Sequence, residues 1–234
     1  ELRPVDDVVD EPQQPLCTTG PRWGADVPLL DAAAELQVYT WEGEPIDALG
    51  FTHGVASGDP LADRVILWTR FEAPADGAPL DVYWEVATDT AFEARVAAGW
   101  TTTSVDRDYT VKVDASGLSS GSSYYYRFRA LGHDSPIGRT RTTPEGCHER
   151  VRIAVASCAN YGRGYFVPYR EIAQDADLDV VLHLGDYIYE YGGSGVRLMA
   201  PPWEIVTPAD YRLRYAHYRS DPDLLEAHRQ RPWI

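Results

Sequence analysis

The chain has 234 residues, of which 44% are hydrophobic and 24% are charged, as expected of a globular protein with one large or two modest domains. Its formal net charge is −15, and residues 1–50 contribute −9 through eleven acids and two bases. So acidic a chain lacks the basic face that nucleic acid requires, and its sequence has no run of about 18 apolar residues that would span a bilayer. Composition therefore argues against a nucleic-acid-binding protein and against a transmembrane segment.

Residues 1–50 are predicted to form an acidic, extended leader that wraps a neighbouring part of the molecule. One helix candidate lies around Leu29 to Val38. The chain begins with Glu1 and its only methionine is Met199, so neither an initiator methionine nor a signal peptide is visible. This is expected of a processed secreted protein or of a shortened chain.

Residues 51–146 have the pattern of a β-sandwich domain. Short runs rich in aromatic and β-branched residues alternate with Gly, Pro and Ser turns, and helical periodicity is nearly absent. Strands are predicted at residues 64–70, 81–87, 109–114, 124–129 and 137–142. Several short strands separated by turn signals favour a sandwich of the fibronectin type III or immunoglobulin-like kind.

Residues 147–234 have an α/β pattern. Strands are predicted at 151–157 and 178–184, with a helix over 165–175 between them. Further helices are predicted to start at Thr207-Pro208 and Asp221-Pro222, because a side-chain oxygen followed by proline is a helix-start signal. Residues 231–234 resemble the run-in to a third strand. The strand–helix–strand order makes the first two strands parallel neighbours.

The sequence has three cysteines, and an odd number in a secreted protein indicates one disulfide and one thiol kept for another purpose. Cys17 and Cys147 lie in polar, loop-like segments and are predicted to pair. Cys158 follows an apolar strand and is predicted to remain free.

The two parallel strands end in unusual residues. Cys158 follows the first strand, and Asp186 and Tyr189 follow the second. Ligands bind outside the carboxyl ends of parallel strands, so these side chains are expected to lie together. Thiolate, carboxylate and phenolate are donors for a Lewis-acidic metal, and the soft thiolate favours iron or zinc. If Asp186 also bridged to a second, oxygen-loving metal, the pair could hold and hydrolyse a phosphate ester.

Each of these residues also has a structural interpretation. Cys158 could be a small buried hydrophobe, and Gly185-Asp186 could be a simple turn. Tyr187, Tyr189 and Tyr191 alternate, as they would on an aromatic strand face.

Three neighbouring polar residues also have both a functional and a structural interpretation. His183 has the position of a hydrogen-bonded core residue, and Asn160 that of a helix cap. Arg163 is either a bidentate clamp for phosphate or a solvated loop arginine. The residues after the second strand, Gly192 to Trp203, form the longest irregular stretch of this half, where a lid or substrate loop would lie.

Several separate motifs, in the same order, closely resemble the PhoD-like alkaline phosphatase/phosphodiesterase family. They are Phe51-Thr-His-Gly-Val-Ala-Ser-Gly-Asp-Pro60, Ile66-Leu-Trp-Thr-Arg70, Tyr124-Tyr-Tyr-Arg-Phe-Arg129, Val155-Ala-Ser-Cys-Ala-Asn160, Leu182-His-Leu-Gly-Asp-Tyr-Ile-Tyr-Glu-Tyr191 and Tyr211-Arg-Leu-Arg-Tyr215. The resemblance implies a β-sandwich followed by the first part of a calcineurin-like, α/β metallophosphoesterase domain. Similar motifs occur in actinomycete phospholipase D enzymes, so monoesters, diesters and phospholipids are all possible substrates.

The resemblance also implies cofactors and residue roles. Iron together with calcium is expected, with zinc or manganese as alternatives. Cys158 and Tyr189 match the iron ligands, and Asp186 matches the carboxylate shared between metals. Asp186 and Arg163 are the expected catalytic residues, acting with a metal-activated hydroxide. Enzymes of this family are exported to the periplasm or beyond, often by the twin-arginine route.

The family pattern continues past the last residue here. The Asp-Asp-His-Glu stretch expected after Arg231-Pro-Trp-Ile234, and the histidine and aspartate ligands beyond it, are absent. The chain is therefore expected to hold about half of the metal shell, to be inactive alone, and to need the C-terminal half of the catalytic domain, which could be a separate chain. The competing hypothesis is a non-catalytic secreted β-sandwich binding module. Bound iron with its visible absorption band distinguishes the enzyme from the module.

Overall fold

The computed structural model describes residues 50–72, 76–147, 150–193 and 195–234. All helices and strands of these residues belong to one compact unit, which consists of Trp41–Glu145 and Val151–Ile234. The predicted leader, its helix candidate around Leu29 to Val38, and Cys17 lie outside the described residues.

Eleven strands of the described chain form two sheets. Their bounds are β1 Val55–Gly58, β2 Arg64–Arg70, β3 Leu80–Ala87, β4 Arg95–Thr103, β5 Thr110–Ser116, β6 Ser123–Ala130, β7 His133–Asp134, β8 Gly138–Arg141, β9 Ile153–Ala156, β10 Val180–His183 and β11 Pro232–Trp233. One sheet has the order β5-β2-β1-β11-β10-β9. The other has the order β4-β3-β6-β7, with β8 also paired to β6.

Three α-helices accompany the sheets: α1 Val167–Gln174, α2 Pro208–Tyr218 and α3 Pro222–Gln230. The predicted helix starts are confirmed. Thr207 caps α2 in a capping box with Asp210, and the Asp221 carboxylate accepts from two backbone N–H groups of α3. Each helix carries its proline in the first turn, where no intrahelical N–H donor is lost. No helix among the described residues is long and apolar enough to cross a membrane.

The first hydrophobic core lies between strands of both sheets. Strand β2 alternates buried and half-buried side chains along its whole length, so its inward residues, Val65 and Leu67, are fully buried. They share a cluster with Val82 and Val86 of β3 and with Phe128 of β6. The apolar alternation seen in the sequence therefore becomes a core shared by the two sheets.

The second core lies on one face of the parallel strands. Val181 and Trp233 on that face pack with Tyr169 of α1 and with Leu224 and Ala227 of α3. Helices α1 and α3 are also joined by a bidentate ion pair from Arg170 to Asp223, at 2.9 Å for both contacts.

The opposite face of the same strands is apolar and exposed. Ile153 and Val155 of β9 are 51% and 61% exposed, Leu184 after β10 is 65% exposed, and Ile234 after β11 is 57% exposed. Parallel sheets are normally covered on both faces, because their strands are apolar on both sides. We call this surface the open face, since no layer of the described residues covers it.

The observed strands match most of the predicted ones, and β9 and β10 are parallel neighbours as predicted. Strands β1, β4 and β7 were not predicted. The predicted division of the chain at residue 146 into a sandwich and a separate α/β domain is not confirmed. Its two halves share a sheet, because β1 pairs in parallel with β11, with Ser57 opposite Pro232 and Gly58 opposite Trp233.

Gly58 tests the importance of this pairing. A Cβ atom at Gly58 would lie 2.9 Å from the carbonyl oxygen of Trp233, which is fixed backbone. We therefore expect Gly58→Ala to lower the free energy of unfolding by about 1–3 kcal/mol, as overpacked sites do. Urea denaturation measures this. The matched control is Gly164→Ala, since a Cβ there meets nothing within 4 Å and its φ of 176° is extended backbone. Equal stability of the two variants would contradict the expectation.

Candidate functional site

Two backbone hydrogen bonds join the ends of β9 and β10. The Cys158 N–H donates to the Gly185 carbonyl at 3.2 Å, and the Ala159 N–H donates to the Asp186 carbonyl at 2.9 Å. Cys158 and Asp186 both have left-handed backbone, with φ of 57° and 51°. Such conformations are rare and unfavourable outside glycine, and they concentrate at functional sites. The chain therefore turns sharply at both residues, just where it presents their side chains.

The side chains of Cys158, Asp186 and Tyr189 meet at one carboxylate oxygen. Asp186 Oδ2 lies 3.5 Å from Cys158 Sγ and accepts a hydrogen bond of 3.2 Å from the Tyr189 hydroxyl. Cys158 is an exposed free thiol, so the structural interpretation as a buried hydrophobe is wrong. The thiol sulfur, the carboxylate oxygen and the phenol oxygen thus lie together at one place on the surface.

The protonation of Tyr189 reflects these neighbours. A hydrogen bond to the Cys158 sulfur, partial desolvation, and the hydrogen bond and charge of Asp186 all raise the pKa of the Tyr189 phenol above its usual value. The phenol therefore keeps its proton in the metal-free protein. A bound cation has the opposite effect, because it favours the anionic form of phenol and thiol alike.

The donor set fits a metal ion by its chemistry. Thiolate, carboxylate and phenolate together supply three negative charges, and softness at sulfur favours a transition metal over calcium or magnesium. No group of three or more His, Cys, Asp or Glu residues is assembled within the described part of the chain. The Tyr189 phenol thus joins Cys158 and Asp186 as the third potential donor of this group.

The other residues singled out in the sequence lie around this group. Arg163 ends the 3₁₀ turn Tyr161–Arg163 and is exposed, and its guanidinium has no hydrogen bond to any described residue. Asn160 does not cap that turn with its side chain, which instead donates to the Tyr191 hydroxyl at 2.9 Å. His183 lies in β10 with its Nε2 3.2 Å from the Tyr169 hydroxyl, and burial lowers its pKa.

The three alternating tyrosines do not share a strand face. Residues 184–193 are irregular, and each ring has a different partner. Tyr187 makes a 2.9 Å hydrogen bond with the buried ring of His228, while Tyr189 reaches Asp186 and Tyr191 reaches Asn160. The interpretation as an aromatic strand face is therefore wrong.

Arg214 is a residue of this region that sequence reasoning missed. Its side chain is fully buried in α2, and within the described chain it has no ion pair. All five guanidinium N–H groups are accounted for by backbone carbonyls, those of Tyr189, Tyr191, Ala200, Pro201 and Trp203. Arg214 thus holds both ends of the loop that follows Asp186, including the backbone of Tyr189. The sequence alone signals it only as part of the Tyr211-Arg-Leu-Arg-Tyr215 motif.

The structure tests the predictions for two of the three cysteines. Cys147 is in a disulfide, and Cys158 is free. Cys17, the predicted partner of Cys147, lies outside the described residues.

With the geometry established, comparison with known proteins identifies the family. A family model described as the N-terminal domain of PhoD-like phosphatases matches residues 38–144, and the PhoD-like phosphatase model matches residues 153–234. The chain belongs to the PhoD-like phosphatase family.

Two relatives are similar in detail. Alkaline phosphatase D of Bacillus subtilis (strain 168) is 44% identical over 200 residues, which are 79% of this chain and 34% of that protein. A solved structure described as that of PhoD is 41% identical with a TM-score of 0.74, covering 82% of this chain and 39% of the other. The chain thus spans little more than a third of the length of either relative.

Replacing Arg214 by Lys tests its role as the anchor of the loop. Lysine supplies three donors in place of five, so at least two of these buried or half-buried carbonyls lose a partner, at about 1–3 kcal/mol each. We expect the free energy of unfolding to fall by at least about 2 kcal/mol, and amide exchange of residues 189–203 to accelerate. The control is Arg212→Lys, on the same helix but exposed. Unfolding of Arg214→Lys at the same urea concentration as this control would contradict the role.

Proposed function

We propose that this chain supplies one half of the metal site of a phosphoesterase that hydrolyses phosphate mono- or diesters. The observation that supports this most is the convergence of Cys158 Sγ and the Tyr189 hydroxyl on Asp186 Oδ2, at 3.5 and 3.2 Å. Membership of the PhoD-like phosphatases supports the reaction class.

In this proposal Cys158 and Tyr189 would hold iron, and the Asp186 carboxylate would serve iron together with calcium. Bound metals would neutralise the phosphate and lower the pKa of an attacking water. The chain's own contribution is to fix the donors before any metal arrives, through the two backbone bonds at the strand ends and the Arg214 anchor.

Arg163 is proposed to contact the substrate. Its exposed guanidinium has no partner among the described residues, and it follows Cys158 by one short turn. A free guanidinium can bind a phosphate through two parallel hydrogen bonds.

The open face supports the proposal that the catalytic domain is completed by further residues. Ile153, Val155, Leu184 and Ile234 present apolar side chains that a parallel sheet normally covers. The matched region is only 34% of the Bacillus protein and 39% of the solved PhoD chain, so both relatives are more than twice as long as this chain. In this view residues 51–146 form the sandwich and residues 147–234 begin the catalytic domain, close to the limits of the two family models.

An exported location is part of the same proposal. Cys147 is in a disulfide, and disulfides persist in oxidising compartments such as the periplasm or the extracellular space. The exposed Cys158 thiol would be protected there by a bound metal.

Iron binding tests the donor set directly. We expect Fe³⁺ added to the purified chain to produce a visible phenolate-to-iron absorption band, which is lost in Tyr189→Phe and in Asp186→Asn. Tyr191→Phe is the matched control, because its hydroxyl bonds Asn160 and not Asp186. A band that survives Tyr189→Phe, or that disappears in Tyr191→Phe, would show that Tyr189 is not the ligand.

Reconstitution tests the half-site. The isolated chain is expected to show no turnover of p-nitrophenyl phosphate or bis(p-nitrophenyl) phosphate. Co-expression with the part of Bacillus alkaline phosphatase D that follows its matched region is expected to restore turnover, and Cys158→Ala in this chain is expected to abolish it. Turnover by the rigorously purified chain alone, unaffected by Cys158→Ala, would contradict the proposal.

A further inference from the structure

A second candidate site is lined by none of the three proposed metal donors. A cleft of about 380 Å³, at the small end of the range for ligand pockets, opens beside β2, β5 and α2. Its polar lining comes from His53, Arg70, Arg107, Asp108, Thr110 and Arg212. Its lining also includes Ile188, Tyr211 and Tyr215.

The charge of this cleft is opposite to that of the chain. Three arginines and one aspartate line it, which leaves a local charge of +2 in a chain of net charge −15. Arg70 is already engaged, since it binds Asp108 through two contacts of 3.1 Å and Glu72 at 3.0 Å. Arg107 and Arg212 are exposed and form no ion pair with any described residue. Two guanidinium groups are therefore available to a ligand.

His53 adds an unsatisfied ring nitrogen. Its side chain is buried, and its Nδ1 lies 2.9 Å from the Thr52 hydroxyl and 3.4 Å from the Arg70 guanidinium. Its Nε2 is buried without a hydrogen-bond partner in the described part of the chain. Burial and the Arg70 charge lower the pKa of His53 to about 4, so the ring stays neutral at neutral pH. A buried ring nitrogen left without a partner is costly, and a ligand oxygen that accepts a hydrogen bond from Nε2 would relieve that cost.

The geometry points to a binding site for an organic phosphate, in which Arg107, Arg212 and His53 contact the phosphate and the Ile188, Tyr211 and Tyr215 side chains contact its apolar or aromatic part. Arginine pairs with phosphate through parallel charge-assisted bonds, and a tyrosine ring offers an apolar wall. The site uses none of the three metal donors, so it does not rest on the proposed hydrolysis.

Isothermal titration of the chain in EDTA tests the site, with phenylphosphonate as the probe because it keeps a phosphate-like head on an aromatic ring and cannot be hydrolysed. We expect saturable binding of one equivalent, and weaker binding of inorganic phosphate. Arg107→Gln and Arg212→Gln should each weaken binding by about tenfold or more, the usual effect of losing a charged hydrogen bond. Both side chains are exposed, so the fold is expected to survive, which circular dichroism verifies.

The control is Arg95→Gln, which removes the same charge from β4 of the other sheet. Its affinity for phenylphosphonate is expected to equal that of the unaltered chain. Three results would each overturn the proposal: no saturable binding, unchanged affinity in both cleft variants, or an equal loss in Arg95→Gln, which would indicate general charge attraction. Equal binding of inorganic phosphate would remove the apolar part of the site from the proposal.

Discussion

The site depends on two backbone hydrogen bonds between neighbouring strand ends. The Cys158 N–H donates to the Gly185 carbonyl, and the Ala159 N–H donates to the Asp186 carbonyl. These two bonds hold two sharp turns against each other, and each turn has a residue with positive φ. Without these bonds, the left-handed backbone at Cys158 would relax, because a cysteine side chain gains nothing from that conformation. The donors therefore meet because backbone hydrogen bonds fix the conformation of both turns. The contacts among the three donor side chains lie at the surface, and they contribute little to the stability of this arrangement.

The surroundings reinforce this arrangement from two sides. Below the site, Trp233 of the central strand β11 stacks on His228, with ring centroids 3.8 Å apart, and ties the parallel strands to α3. Beside the site, Arg214 takes up five carbonyls of the loop that follows Asp186. Among the residues that the structure describes, this guanidinium has no carboxylate partner and is solvated by backbone carbonyls alone, which is unusual for a buried charge. The same residue thus stabilises the loop and positions the backbone of Tyr189.

Several strands and helices, and the nearness of two residues of the site, could be predicted from the sequence. Strand β2 alternates at period two, and the Thr207-Pro208 and Asp221-Pro222 pairs mark helix starts, so local chemistry determines these elements. The nearness of Cys158 and Asp186 follows from the parallel order of the strands that precede them. In each case one segment, or two neighbouring segments, carries all of the information.

Other features have no such local signal. Strand β4 is exposed along most of its length, so it lacks the apolar alternation that identifies a half-buried strand. The pairing of β1 with β11 joins two short strands that are far apart in the chain, and no periodicity encodes it. Arg214 has the appearance of a solvated helix residue until the loop folds over it. The positive φ at Cys158 is likewise imposed by tertiary hydrogen bonds, because cysteine has no preference for that region.

We have proposed that the Cys158 sulfur, the Asp186 carboxylate and the Tyr189 phenol oxygen bind one cation together. X-ray absorption at the iron edge, on the chain loaded with one equivalent of Fe³⁺, examines the metal's own neighbours. We expect one sulfur and at least two oxygens in the inner shell, with the sulfur absent after Cys158→Ser. A shell of nitrogen and oxygen alone in the unaltered chain would contradict it.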